Sequence, residues 1–271
     1  MDCLMGLQKK DIEKLSEFIF QRRKDDGAFA ACPSLPSTVA DTFYALKMLK
    51  KLDDHCENSP LFSRIDGEKI RAFVRAHTAI RASLPLRVRF FLQEIFRMVT
   101  KDLVTEEGIS SSIDPCDDLD VGKRLSYENY YYVGRLAAHL QKKFQVDDFH
   151  LGNCTGKDVY FYLLLFAEEA ETRTAEIGDW LQRCQNCDGG FGFFPGTTSY
   201  IEYSDYSLSA LSILHRQPLH CRQAGQYILA CRTAAGGFSR STKAAPFLDA
   251  SYHALNALFC LQSFMADQLR P

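Results

Sequence analysis

Apolar residues recur every three or four positions along most of the chain, and that spacing predicts helix after helix. The runs Leu15–Phe20, Phe43–Leu52, Ile70–Val74, Phe90–Val99 and Tyr130–Leu140 fit it, as do Val159–Phe166, Ile177–Leu181, Tyr206–Leu214 and Tyr252–Phe264. Helix breakers gather between them: Asp25-Asp26-Gly27, Pro33 to Ser37, Gly108 to Asp118, Gly152 to Gly156 and two Gly-Gly pairs. No alternating segments flank an Asn-Gly or Asp-Gly turn, so no β-hairpin is predicted.

One punctuation mark repeats. Asp188-Gly189-Gly190-Phe191-Gly192 leads into a helix-like run ending Ser209-Ala210-Leu211. It recurs as Gly236-Gly237-Phe238 with Ala254-Leu255, and as Gly27-Ala28-Phe29 with Ala45-Leu46. Counted from phenylalanine to alanine, the interval is 16 residues in two copies and 19 from Phe191 to Ala210. A helix, a glycine-aromatic turn and a second helix cannot bury their apolar faces alone, so neighbouring units must stack into a solenoid or ring. Glu107-Gly108-Ile109, leading to Tyr127 and Tyr130-Tyr131-Tyr132, reads as a degraded copy. No linker divides the chain, which predicts one domain over residues 1–271.

Composition changes this picture little. The chain has 271 residues, 46% hydrophobic, with a net charge of −2. That is enough material for a core, and it argues against nucleic acid as a main partner. No run reaches the length of a membrane span, and the start lacks the basic-then-apolar order of a signal peptide, so cytosol is the expectation. Ten cysteines without signs of secretion read as free thiols. The Cys184-x-x-Cys187 motif lacks a second pair nearby and reads as structural thiols at a helix end rather than a zinc half-site. Arg64, Lys69, Arg71, Arg75, Arg81, Arg87, Arg89 and Arg97 make the middle locally basic, either as solvated helix faces or as a partly inward-facing anion surface.

The stretch Trp180 to Gly192, with Pro195-Gly196, resembles the repeat of protein prenyltransferase β subunits, which share an α/α toroid with squalene-hopene-type cyclases. The match runs over Trp180 to Leu258 and Gln21 to Leu46; between them only the helix–loop–helix rhythm continues. The resemblance implies an all-α toroid of about five to six helical hairpins, with inner helices lining a central lipid cavity. Tyr44, Tyr131, Tyr160, Tyr203, Tyr206 and Tyr252 would then make that cavity π-rich.

The resemblance also assigns roles. In the β subunits one repeat reads Gly-Gly-Phe, then Arg-x-x-Lys, whose basic pair holds the isoprenoid diphosphate, then Asp-x-Cys-Tyr, whose Asp and Cys ligate zinc. Here Gly236-Gly237-Phe238 is followed by Arg240-Ser241-Thr242-Lys243 and, after a slightly longer loop, Asp249-Ala250-Ser251-Tyr252. Arg240 and Lys243 match the diphosphate-binding pair, with Tyr200 where the family has a further histidine contact; the alternative places the pair on an exposed loop. Asp249 and Tyr252 are the candidate catalytic residues. Ser251 replaces the thiolate, and a hydroxyl is a poor zinc ligand near neutral pH. The family's histidine ligand belongs to a later repeat and the chain ends at Pro271, with His253 one place off, so no zinc is expected. Mg²⁺ can accompany a diphosphate.

Three functions fit. The first is a prenyltransferase-like protein binding an isoprenoid diphosphate without the family zinc, with a helical α-subunit-like partner implied. The second is a small terpene-cyclase-like enzyme taking its acid from Asp114–Asp120 or Asp249, where clustered carboxylates can raise one another's pKa. A solvated turn is the plainer reading of Asp114–Asp120. The third is a non-catalytic toroid holding a lipid or a protein. The first leads because Arg240-x-x-Lys243 followed by Tyr252 fits it, and it points to an enzyme.

Overall fold

The structure is a computed structural model, and it describes residues 6–55, 60–80, 83–100, 124–138 and 145–268. Eleven α-helices run through these residues, with one two-residue strand pair that is parallel and not a hairpin. The backbone gathers into two compact units, Met1–Phe20 with Asp148–Pro271, and Gln21–Asp147.

The first unit holds α1 (Lys9–Phe20), and then, after the second unit, α6 (Gly156–Leu165), the short α7 (Ala167–Glu171), α8 (Thr174–Arg183), α9 (Ile201–Ile213), α10 (Cys221–Ala230) and α11 (Leu248–Gln268). Helix α9 packs against α6 on one side and α11 on the other, while α10 packs against α11. The second unit holds α2 (Val39–His55), α3 (Gly67–Thr78), α4 (Leu86–Val99) and α5 (Tyr127–Leu136), with α4 packed against the other three. Strands β1 (Arg124–Leu125) and β2 (Gln145–Val146) pair in the same unit.

The repeated turn has one construction in all three copies. Arg23, Gln185 and Arg232 each form an isolated bridge with Phe29, Phe191 and Phe238. The first glycine of each turn has φ of +81°, +90° or +95°, the left-handed region that glycine enters without strain. A side chain there would also collide. A Cβ on Gly189 would lie 2.1 Å from the backbone of Gln223 on α10, and one on Gly236 would lie 2.3 Å from the Lys14 carbonyl oxygen on α1. The Gly189 turn is thus pressed against α10, and the Gly236 turn against α1.

The phenylalanine then plugs the core while its backbone N–H is caught by a hydroxyl 13 residues on. Phe29 N donates to Thr42 Oγ1 (3.0 Å), Phe191 N to Ser204 Oγ (3.0 Å) and Phe238 N to Ser251 Oγ (2.8 Å). Each hydroxyl donates in turn to a carbonyl four residues back in its own helix. These bonds satisfy a buried N–H and lock the inner helix to the turn.

This register corrects the interval counted from alanine. All three copies are equally long from phenylalanine to inner helix, and Ser207 stands where the other copies have Ala45 and Ala254. Residue identity misled because an alanine to serine change moved the apparent landmark three places. Helix α5 also begins earlier than the apolar spacing predicts, at Tyr127, because Ser126 caps it by accepting from Asn129 N at 3.3 Å. Helix α10 was absent from the expected set. It buries Ala224, Gly225, Tyr227 and Ile228 at helical spacing, and two of the four are too small to stand out as apolar landmarks. Glu107–Ile109 and Asp114–Asp120 lie outside the described residues. No helix among the described residues is long and apolar enough to cross a membrane.

Candidate functional site

In the unit containing α6, α9 and α11, the common register puts two adjacent positions of each inner helix just past the bracing hydroxyl. They are Asp205-Tyr206 on α9 and Tyr252-His253 on α11. Because α9 and α11 pack side by side, these positions meet. His253 Nδ1 lies 2.7 Å from Asp205 Oδ2, and both side chains are 6% exposed. An ionised carboxylate only accepts, so Nδ1 carries the proton of this bond. Ser209 Oγ donates to Asp205 Oδ1 (3.2 Å), and Asn256 Nδ2 reaches Oδ2 at 3.4 Å. The carboxylate is therefore oriented from three directions, which suits a buried charge.

Aromatic rings surround the pair. The Tyr206 ring lies 5.3 Å from the His253 ring, 5.5 Å from Tyr160 and 6.0 Å from Phe161, the last two on α6. Tyr252 packs edge-on to His253 at 5.3 Å. Lys157 Nζ sits 5.8 Å from the Tyr206 centroid. Such ring faces favour cations and apolar chains.

The residues singled out from sequence lie at the N-terminal ends of the same two helices. Tyr200 is the N-cap of α9, 38% exposed. Its neighbour Ile201 donates its N–H to the Arg240 carbonyl oxygen at 3.0 Å, so the two loops touch. The Arg240 guanidinium donates to Asp249 Oδ2 at 2.7 Å and lies 5.5 Å over the Phe247 ring. Tyr200, Arg240 and Asp249 are thus brought together. Lys243 is exposed on the following turn, and Tyr252 is half-buried one turn into α11.

The family's zinc site can be tested against the donors present. Asp249 is bonded to Arg240 and to the Ala250 N–H, and Ser251 Oγ braces the repeat turn. His253 Nδ1 is bonded to Asp205. The three candidates hold three different partners, and the described residues contain no group of three His, Cys, Asp or Glu that could hold a metal ion. These donors do not fit the ion. The Cys-x-x-Cys pair diverges: Cys184 is buried and its thiol is pushed up to about 12 by burial, whereas Cys187 is exposed.

The model of the prenyltransferase alpha-alpha toroid domain family matches residues 1–84, 157–224 and 197–270. The chain belongs to this family. The matched segments contain all three glycine-aromatic turns and every residue of the Asp205–His253 cluster and of the Tyr200–Arg240–Asp249 group. No curated protein matches the sequence.

Sequence reasoning missed Asp205 and noted His253 only as one place off the zinc-ligand position. A signal was available. Aligning the copies on their phenylalanines, rather than on Ala45, Ala210 and Ala254, puts Asp205-Tyr206 opposite Tyr252-His253. The basic middle stretch is divided among separate tasks. Lys69 donates to the Asp25 carbonyl, Arg71 pairs with Glu68, the buried Arg89 donates to the Leu84 carbonyl, and Arg97 pairs with Glu94. Arg81 lies outside the described residues.

Proposed function

We propose that this chain binds an isoprenoid diphosphate and uses it without the family's zinc. The diphosphate lies at the N-terminal ends of α9 and α11, held by Arg240, Lys243 and the Tyr200 hydroxyl. The hydrocarbon tail runs along the rings of Tyr160, Phe161, Tyr206 and Tyr252. The observation that carries this reading is the contact between the two loops, which sets Tyr200 beside Arg240 and Asp249, one turn from the aromatic face. Two helix N-termini add their partial positive charge. Asp249 competes with the anion for Arg240, so binding requires the diphosphate to displace a partly exposed ion pair, which is a weak obstacle.

Calorimetric titration with farnesyl diphosphate tests this. Replacing Arg240 and Lys243 together by alanine should weaken binding by about tenfold or more, since each charge-assisted bond contributes about 1.5–3 kcal/mol. Asp249→Asn should leave binding equal or tighter by removing the internal competitor. A wild-type protein that does not bind farnesyl diphosphate, or a double alanine variant that binds it unchanged, overturns the reading.

A further inference from the structure

The unit formed by residues 21–147 carries a second concentration of charge. Glu94 on α4 is 9% exposed and has three cations around it: Lys47 from α2 at 3.0 Å, Arg97 from α4 at 3.0 Å and Arg135 from α5 at 3.7 Å. Among the described residues it is the one carboxylate these three cations pair with. Counted over the described residues of the cluster, one negative charge against three positive leaves an excess of two. Each cation is between a third and a half exposed, so the excess faces solvent while the carboxylate lies beneath it.

An aromatic bed lies under the cluster. Phe43 and Phe91 stack at 4.0 Å, Phe90 stacks on Tyr132 at 4.8 Å, and Tyr131 meets Phe90 edge-on at 6.0 Å. Lys47 Nζ is 5.5 Å from the Phe43 centroid. Three helices converge here to supply one cation each, and only α4 supplies the carboxylate. Burial raises the Glu94 pKa, but Lys47 and Arg97 outweigh it, so the group stays ionised and the cations stay gathered.

We infer that Lys47, Arg97 and Arg135 form an oxyanion site, with Glu94 as the pin that holds the cations together and the excess of two charges matching a phosphate or diphosphate group. Arginine forks and a lysine point charge suit phosphate oxygens, and a doubly charged anion would neutralise the cluster. The phosphate is either free or carried on an apolar chain that lies on the Phe43–Phe91 bed. The site is independent of Arg240, Lys243 and Tyr200, which belong to the other unit.

The test is a titration of the full chain at low salt with inorganic pyrophosphate and, in parallel, farnesyl diphosphate. Lys47→Met with Arg135→Met keeps the apolar stems and removes two charges, and should weaken pyrophosphate binding about tenfold or more. Glu94→Gln keeps an amide oxygen that can accept from the three cations while removing the competing charge, and should tighten it several-fold. In the Arg240→Ala/Lys243→Ala background, tighter binding of farnesyl diphosphate than of pyrophosphate would assign the anion to an organic carrier, and equal binding would assign it to free diphosphate; either supports the site. Circular dichroism melts confirm that each variant is folded. Absence of pyrophosphate binding by both wild type and Glu94→Gln overturns the inference. So does binding lost in Arg240→Ala/Lys243→Ala but unchanged in the Lys47/Arg135 variant, an outcome that leaves the proposed function standing.

Discussion

Two serines three residues apart on α9 should respond to alanine in opposite directions. Ser204 Oγ, 1% exposed as a residue, accepts from the Phe191 N–H at 3.0 Å and donates to the Tyr200 carbonyl oxygen at 2.9 Å. Ser204→Ala leaves the N–H of a fully buried phenylalanine without its acceptor, and a buried unsatisfied donor costs about 1–3 kcal/mol. Loss of the helix-to-turn tie adds little, since a hydroxyl bonded to its own helix contributes weakly. A destabilisation of about 2 kcal/mol follows, which for a protein of this size lowers the melting temperature by about 4–6 °C. Ser207 is also fully buried, yet among the described residues its Oγ has no hydrogen-bond partner, and the equivalent positions are Ala45 and Ala254. Ser207→Ala removes a desolvated hydroxyl with nothing to lose, offset by a small void against Gly156, where a Cβ would stand 2.7 Å from Oγ. The variant should be neutral or more stable by up to about 1 kcal/mol. Thermal unfolding followed by circular dichroism measures both. If Ser207→Ala melts as low as Ser204→Ala, the register that equates Ser207 with two alanines is wrong.

Two further outcomes concern other parts of the same unit. A hydrogen bond and charge from Arg232 hold the Asp11 carboxyl below its ordinary value, so its contribution to stability is full above about pH 4 and lost as pH falls through the lowered folded value. Asp11→Asn should therefore flatten the acid limb of melting temperature against pH below about pH 4, and a limb as steep as wild type's would show that the pair contributes nothing. Ser251→Cys, which restores the family's thiol, should bind no stoichiometric zinc and should lower stability, because sulfur is a weak acceptor for the Phe238 N–H; one tightly held zinc per chain would refute this.

The helical character of the chain and its three turns were legible because both rest on local physics. Apolar spacing reports which helix face is buried, and a Gly-Gly-Phe turn needs a residue that tolerates positive φ and close approach. What stayed hidden is what local pattern does not encode. Helix α10 buries Ala224, Tyr227 and Ile228 at helical spacing, but two of its four buried residues are small and were not counted as apolar landmarks, though Ala224 sits where the Gly189 turn presses in. Glu94 was invisible for another reason. Its three cations come from three helices, so no window of sequence contains the cluster. Counting arginines found the charge in the region without finding the carboxylate that organises it.

The resemblance drew attention to a residue whose duty in the structure is a different one. Ser251 was noticed as the position where a zinc-ligating thiolate was missing. In the structure it occupies the position that Thr42 and Ser204 occupy in the other copies, bonded to the turn phenylalanine in each. A residue so used belongs to the frame of the repeat, and all three copies in this chain fill it with a small hydroxyl that accepts and donates at once. The next two positions are under no such constraint: the first differs in every copy (Phe43, Asp205, Tyr252) and the second is Tyr44, Tyr206 and His253. Their side chains make the stacked Phe43–Phe91 bed in one unit and the Asp205–His253 pair in the other. A repeat that fixes its backbone through one hydroxyl can vary the adjacent side chains without disturbing the fold. Chemistry in this chain is accordingly to be sought one and two residues past the bracing hydroxyl, and at the loop ends that meet beside Arg240.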